Sequence, residues 1–319
     1  MLGLSSRAIQ GRFVQAYEQG MSESLVMALG MMFASDQESE TYRWLGQVPK
    51  VREWIGARSV QTLLTRGLTI INKKFESSLR VDLDDLRRDK TGQIMLRLGE
   101  LALAAGAYHW FDLLTTLTLN GTSATSGLAY DGQYFFDTDH AEGSSGSQKN
   151  ALTSSEVASL NVGTATAPTE AEFALALFDV ISWFYTLVDD RGRPMNGQAK
   201  SFAVMTPISL SGRAAAAIAK NTLVSAGGAV VDNPLKASGW NISLIPNPGL
   251  SAWTDKFAVF RTDGQTKPFI LQEEYGPQLK IKGAGSEFEF DYDAHEYGVD
   301  CSRNAGYGQW QHALLATMS

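Results

Sequence analysis

Apolar residues recur at helical spacing through residues 5–33, where Phe13, Tyr17, Leu25, Leu29 and Met32 mark an apolar stripe. Gly11, Gly20 and Gly30 are points where that helix can bend or break. A helical arm ahead of the main body is the expectation. Between residues 66 and 92 the period changes. Leu68 and Ile70 precede the polar triplet Asn72-Lys73-Lys74; after it Phe75, Leu79, Val81 and Leu83 alternate with Glu76, Ser78, Arg80, Asp82 and Asp84. That two-residue alternation is a strand with one face in water, and two such runs around a short turn predict a long hairpin. Residues 93–119 return to helical spacing. Ile94, Leu98, Leu101, Ala105 and Tyr108 line one side, and Leu96, Leu103, Trp110 and Leu117 another. At 1.5 Å per residue this helix reaches roughly 40 Å, and an element apolar on two faces needs cover on both. Gly99 and Gly106 share a face that would admit a close neighbour.

Beyond residue 140 the pattern alternates between types. Thr169 and Glu172 form a capping-box pair ahead of a helix over 173–188. A buried strand follows at 201–206, and Pro207 opens a second helix over 208–220. Strands are expected at 241–245, 256–261, 269–272, 278–282 and across a long stretch at 287–310. In that last stretch Glu287, Glu289, Asp291 and Asp293 would share one face of a strand. No internal repeat of fixed period is present.

Composition narrows the picture. The chain has 319 residues, of which 44 % are hydrophobic, enough for a sizeable core in one elaborate domain or two ordinary ones. Only 19 % are charged, against about 25 % in an ordinary soluble domain. That shortfall points to surface reserved for protein contact. A net charge of −7 without a basic run argues against wrapping nucleic acid or an anionic membrane. No stretch approaches the roughly 20 apolar residues of a membrane span. The apolar run 25–33 has the length of a signal-peptide core but follows Glu18 and Glu23, so it reads as a helix face. The single cysteine, Cys301, excludes an internal disulfide framework and suits a reducing compartment.

Candidate chemistry is sparse. GxGxxG after a strand, GxxxxGK[ST], HExxH and GxSxG are all missing. His109, His140, His295 and His312 are not paired at i, i+4. Asp137, Asp139 and His140 have ligand-type side chains for a hard or borderline metal, although a polar turn is the simpler reading. The alternating carboxylates Glu287–Asp293 suit general acid–base work, or simply a half-solvated strand. Cys301 beside Asp300 and Arg303 reads as a buried structural thiol. Lys73 or Lys74 at a hairpin tip reads as a solvated turn residue, with a covalent cross-link to a neighbouring asparagine as the rival.

Several strings carry a resemblance. Tyr42-Arg43-Trp44-Leu45-Gly46-Gln47-Val48-Pro49 with Arg52-Glu53-Trp54-Ile55-Gly56 resembles a segment of Mu-like phage major head subunits. So do Asn72-Lys73-Lys74-Phe75-Glu76 with Val81-Asp82-Leu83-Asp84-Asp85, the string from Tyr130 to His140, and Gly306-Tyr307-Gly308-Gln309-Trp310-Gln311. They cover residues 42–140 well and the C-terminal strands more loosely, and residues 141–285 carry none.

The resemblance implies an α+β, HK97-like major capsid fold. Its parts would be an N-terminal arm (1–40), a lead-in segment (41–65), an extended-loop hairpin (66–92), a peripheral domain with a spine helix (93–163), an axial domain (164–267) and returning peripheral strands (268–319). It implies no enzyme, no cofactor and no metal. The expected function is self-assembly into hexamers and pentamers of an icosahedral head around double-stranded DNA, formed in the host bacterial cytoplasm. Expected partners are copies of the chain, a portal, scaffold or protease, decoration proteins and loosely apposed DNA, with no membrane. Candidate subunit contacts are Trp44, Trp54, Phe75, Leu79, Val81, Leu83, Tyr134 and Phe135. The rival readings are a carboxylate- or metal-dependent hydrolase and a ring- or tube-forming tail component.

Overall fold

The computed structural model describes residues 6–43, 45, 67–88, 92–224 and 227–319. In chain order its principal elements are α1 (Ser6–Glu23), β1 (Gly30–Ala34), β2 (Ser39–Tyr42), β3 (Leu68–Ile71), β4 (Lys73–Asp82), α2 (Leu83–Arg88), α3 (Gln93–Leu103) and α4 (His109–Leu119). They continue with β5 (Ala151–Leu152), α5 (Glu170–Trp183), β6 (Ser201–Thr206), α6 (Ile208–Ala219), β7 (Asn241–Pro246) and β8 (Lys256–Arg261). The chain closes with β9 (Phe269–Lys282), α7 (Glu287–Tyr292), β10 (Ala294–Tyr307) and β11 (Ala313–Thr317).

A four-stranded sheet runs β1-β9-β10-β4. The strands β9 and β10 are 14 residues each and pair antiparallel, with bulges between Glu273 and Gln278. Thus the expected runs 269–272 and 278–282 are one irregular strand. β4 pairs antiparallel with β10 from Asp82 opposite Ala294 to Lys73 opposite Arg303. Its alternation works as the sequence implies: Phe75, Leu79 and Val81 turn inward, while Glu76, Ser78, Arg80 and Asp82 meet solvent. A five-stranded sheet runs β7-β6-β8-β11-β5. α5 covers it with Phe173, Leu177, Val180 and Ile181, each buried side chain contributing about 1.5–3 kcal/mol. The α5 start is fixed by a reciprocal cap, Thr169 Oγ1 accepting from Glu172 N and Glu172 Oε2 from Thr169 N.

Four expectations change. First, β3 and β4, the described strands of the expected 66–92 hairpin, do not pair with each other. β3 pairs with β2 instead, Ile71 opposite Ser39 and Leu68 opposite Tyr42. The cause is Asn72, whose N donates to Glu38 O at 2.8 Å. Its Nδ2 donates to Ser35 Oγ at 2.9 Å and Gln37 O at 2.7 Å. Those bonds carry the chain from one sheet to the next rather than back on itself, so Lys73 and Lys74 begin a strand and do not sit at a tip. Second, residues 30–34 are strand, not helix. The backbone of Gly30 lies so close to β9 that a Cβ there would come 2.6 Å from Leu271 Cγ.

Third, the stretch from 287 does not start as a strand. Ser286 caps α7, its Oγ accepting from Glu289 N at 3.2 Å, and Asp293 turns left-handed at φ 46° to end it. Glu287 and Asp291, one helical turn apart, therefore share a face of α7, and Glu289 lies on the opposite one. Fourth, α1 is not held away from the body: Ile9 and Phe13 are buried against α3 and the long sheet.

The long helix is present over residues 93–119, interrupted by a π-helical turn at Ala104–Tyr108 where Gly106 leaves helical geometry. Gly106 seats Tyr17 of α1, since a Cβ there would lie 2.8 Å from the ring. Gly99 has no such neighbour.

Candidate functional site

The two most distinctive strings, 130–140 and 306–311, meet in space. The chain reverses around Gly132 (φ 91°), and Asp131 Oδ1 accepts from Gln133 N at 3.2 Å to hold that turn. The turn delivers Phe135 and His140 to the junction of the two sheets. The Phe135 ring stacks on Tyr307 with centroids 4.5 Å apart, and the Tyr307 hydroxyl donates to Leu117 O at 3.0 Å. His140 stacks on Trp310. Its Nδ1 lies 2.6 Å from Asp131 Oδ2 and its Nε2 3.1 Å from Asn150 Oδ1. Each ring nitrogen thus faces a side-chain oxygen. Asn150 is oriented by its own Nδ2, which donates to Phe135 O and Trp310 O.

This arrangement consumes the metal-type residues. The Oδ2 of Asp137 accepts from Tyr134 N and its Oδ1 from Thr138 N, and exposed Asp139 has its carboxyl raised by a hydrogen bond to Asp137. Among the described residues no group of three or more His, Cys, Asp or Glu side chains has metal-holding geometry. Next to this knot, Tyr130 Oη accepts from Gln311 Nε2 at 2.8 Å and donates to Glu142 Oε2 at 3.0 Å. Burial, with Asp190, Asp131 and Asp189 nearby, pushes the Glu142 carboxyl up to about 7.

Cys301 is buried, as the sequence implies, and its Sγ accepts from Arg303 Nε and Nη2 at 3.1 Å. The fully buried Arg303 also donates to Ala105 O in the π turn and lies 4.8 Å over the Trp110 ring. A carbonyl released by the broken helix is thus satisfied by a guanidinium from β10. Glu273 stands 3.9 Å from Arg303 Nη1, and burial raises its carboxyl. Elsewhere burial, with Arg303 nearby, lowers His109 to about 4. Burial likewise lowers His312 to about 3.

The candidate contacts separate into groups. Trp44 and Trp54 lie outside the described residues. Phe75 packs edge-on against His109 at 4.2 Å. Leu79 and Val81 pack with Ile9, Ile94 and Leu98 of the chain's own helices and with Tyr297 of β10. Leu83 is buried as well, and Phe135 is wholly enclosed, so these two offer little or nothing to a neighbour in this conformation. Tyr134 is 42 % exposed and remains available.

The structure adds apolar side chains that the sequence pattern did not single out as surface: Phe290 is 92 % exposed and Leu96 65 %, with Tyr108 and Tyr292 also on the outside. The signal for Phe290 was legible, because Ser286 and Glu289 fit the capping-box spacing that marks a helix start. Among the described residues no helix is long and apolar enough to cross a membrane.

Comparison with known proteins fits this picture. The procapsid protein of bacteriophage JBD30 superposes over 98 % of this chain and 75 % of its own, with a TM-score of 0.54 at 23 % identity. The fold is that of the HK97-like phage capsids. A Mu-like prophage FluMu major head subunit of Haemophilus influenzae is 34 % identical over 133 residues, 41 % of this chain and 42 % of that relative. The major capsid protein of Escherichia phage Mu is 30 % identical over 138 residues, 43 % of this chain and 44 % of that relative. Each match therefore spans under half of the curated relative. The family described as Mu-like prophage major head subunit gpT matches residues 5–169 and 245–318. Those two stretches hold the long helix, the 130–140 turn and the C-terminal strands that pack on it, and with them about three quarters of the sequence: the chain belongs to the Mu-like prophage major head subunit gpT family.

Proposed function

We propose that this chain is a shell subunit of a Mu-like phage head, and that its work is self-association. The observation that carries the reading is the family match over residues 5–169 and 245–318, in a chain whose His140 is engaged by Asp131 and Asn150. Exposed Leu96, Tyr108 and Phe290 and the low charged fraction of 19 % fit a surface meant for copies of itself. Rings of six and five close by heterologous contact, in which one edge of each subunit meets a different edge of the next. On this reading the protein is a component of the virion assembled in the host cytoplasm, and it meets portal, scaffold and decoration proteins as it assembles. The net charge of −7 keeps the wall from clinging to packaged DNA. The carboxylates of α7 favour no hydrolase, since Glu289, engaged at 3.3 Å by His295, lies on the opposite face from exposed Glu287 and Asp291. Sedimentation of the purified protein tests the reading. A fast boundary of assembled particles is expected; a single boundary at subunit mass over micromolar concentrations would oppose it.

A further inference from the structure

We infer that Gln272 is the positioning residue that sets the direction in which the β2–β3 pair leaves the body of the subunit, and through it the curvature of the shell; this rests on the reading just given. Gln272 sits mid-strand in β9, fully buried, with Phe33 of β1 on one side and Asn304 of β10 on the other. A buried amide there is costly unless satisfied, and its bonds go outward, to both strands of the pair. Its Oε1 accepts from Tyr42 Oη of β2 at 2.9 Å. Its Nε2 donates to Ile70 O of β3 at 3.2 Å and to Asn72 Oδ1 at 2.9 Å.

The surroundings make this node rigid. Asn304 Nδ2 donates to Ile71 O at 2.7 Å, the Phe33 and Tyr42 rings lie 5.2 Å apart, and Gly306 leaves room for Ile70, whose Cδ1 would come 2.5 Å from a Cβ there. Asn304 bonds one strand of the pair, whereas Gln272 reads both. Chemistry makes the amide specific. One planar group supplies an acceptor for Tyr42 and two donors for β3 and Asn72; a glutamate lacks the donors, and a leucine of similar size lacks everything but volume. The pair hands the chain on at Tyr42 and receives it back at Leu68, so its angle fixes where those two residues stand on the body. Small angular differences, repeated around a closed assembly, change its diameter.

The test compares Gln272→Leu and Tyr42→Phe with wild type and with Val299→Ala, a buried substitution in β10 away from the pair. Particle diameters are read by electron microscopy and amide exchange in the dissociated subunit. Both ladder variants should broaden or shift the diameter distribution, and exchange at residues 39–42 and 68–71 should speed up about tenfold while β6 and β8 are unchanged. Val299→Ala should leave diameter and ladder exchange at wild-type values. If Gln272→Leu does not fold, Tyr42→Phe carries the same prediction with one bond removed. Wild-type diameters and exchange in both ladder variants would overturn the assignment, as would an equal shift in Val299→Ala. If wild type itself forms no shells, the shell reading fails, and ladder exchange alone decides the role of Gln272.

Discussion

The imidazole of His140 lies flat on the indole of Trp310, with ring centroids 3.9 Å apart and planes 5° from parallel. One ring comes from the turn after the long helix and the other from the segment joining β10 to β11. Their contact fastens the two sheets. With Asp131 only 3 % exposed behind it, His140→Ala removes the partner of a buried carboxylate. The expected cost is about 3–5 kcal/mol, read as a lowered urea midpoint of the subunit. Trp310→Ala should cost about 3–5 kcal/mol, and the double variant less than their sum because the rings share one contact. A cost below about 1 kcal/mol for either single change would contradict this account of the junction.

Phe135 and Phe290 should behave oppositely. The first is enclosed and the second is 92 % exposed. Phe135→Ala should destabilise the subunit by about 3–5 kcal/mol. Phe290→Ala should leave subunit stability within about 0.5 kcal/mol yet lower the yield of assembled particles. Thermal melts and particle counts on the same preparations separate the two effects.

Gly106 and Tyr17 are predicted to be coupled. Gly106→Ala places a Cβ 2.8 Å from the Tyr17 ring and should cost about 1–3 kcal/mol through overpacking. In a Tyr17→Ala background the same substitution should cost less. Additive effects across the cycle would show that the ring does not occupy the notch.

The pH dependence of stability has two arms. Glu142 is raised to about 7 from an ordinary 4.5, so its folded form holds the proton more tightly than the unfolded chain. Its contribution is complete below pH 4.5 and is lost as pH rises through 7. His312 and His109 are lowered to about 3 and about 4, so theirs is present above 6.5 and is lost as pH falls toward those values. Glu142→Gln should flatten the decline between pH 5 and 8 and leave the acid arm intact. Thermal midpoints across that range check it, and an unchanged slope would count against the buried carboxyl.

The sequence was most legible where one period dominates. The alternation from Phe75 to Asp82 is a strand with its apolar face inward, and Thr169 with Glu172 starts a helix as their spacing implies. Pairing was not legible. Nothing local shows that β3 prefers β2, because the bonds that turn Asn72 away come from residues 35–38 and from Gln272, 200 positions distant. Glu287–Asp293 misled for another reason: alternating charge and aromatic residues suit a strand, but the Ser286 cap outweighs six residues of weak period. Tertiary contact likewise overrode helix propensity at Gly30–Ala34. Of the candidate contacts, the sequence could mark Phe135 as aromatic but not as enclosed, since burial is decided by Tyr307 and Phe269, far along the chain.

The central claim is that copies of this chain close into a shell. Electron microscopy of the purified, assembled protein with symmetry averaging tests it most directly. The account predicts closed particles with five-fold vertices whose subunit density accepts this fold, with Phe290 and Leu96 at boundaries between subunits and Phe135 inside each one. Open tubes, stacked rings or dispersed single subunits, under conditions where the protein is folded, would contradict it.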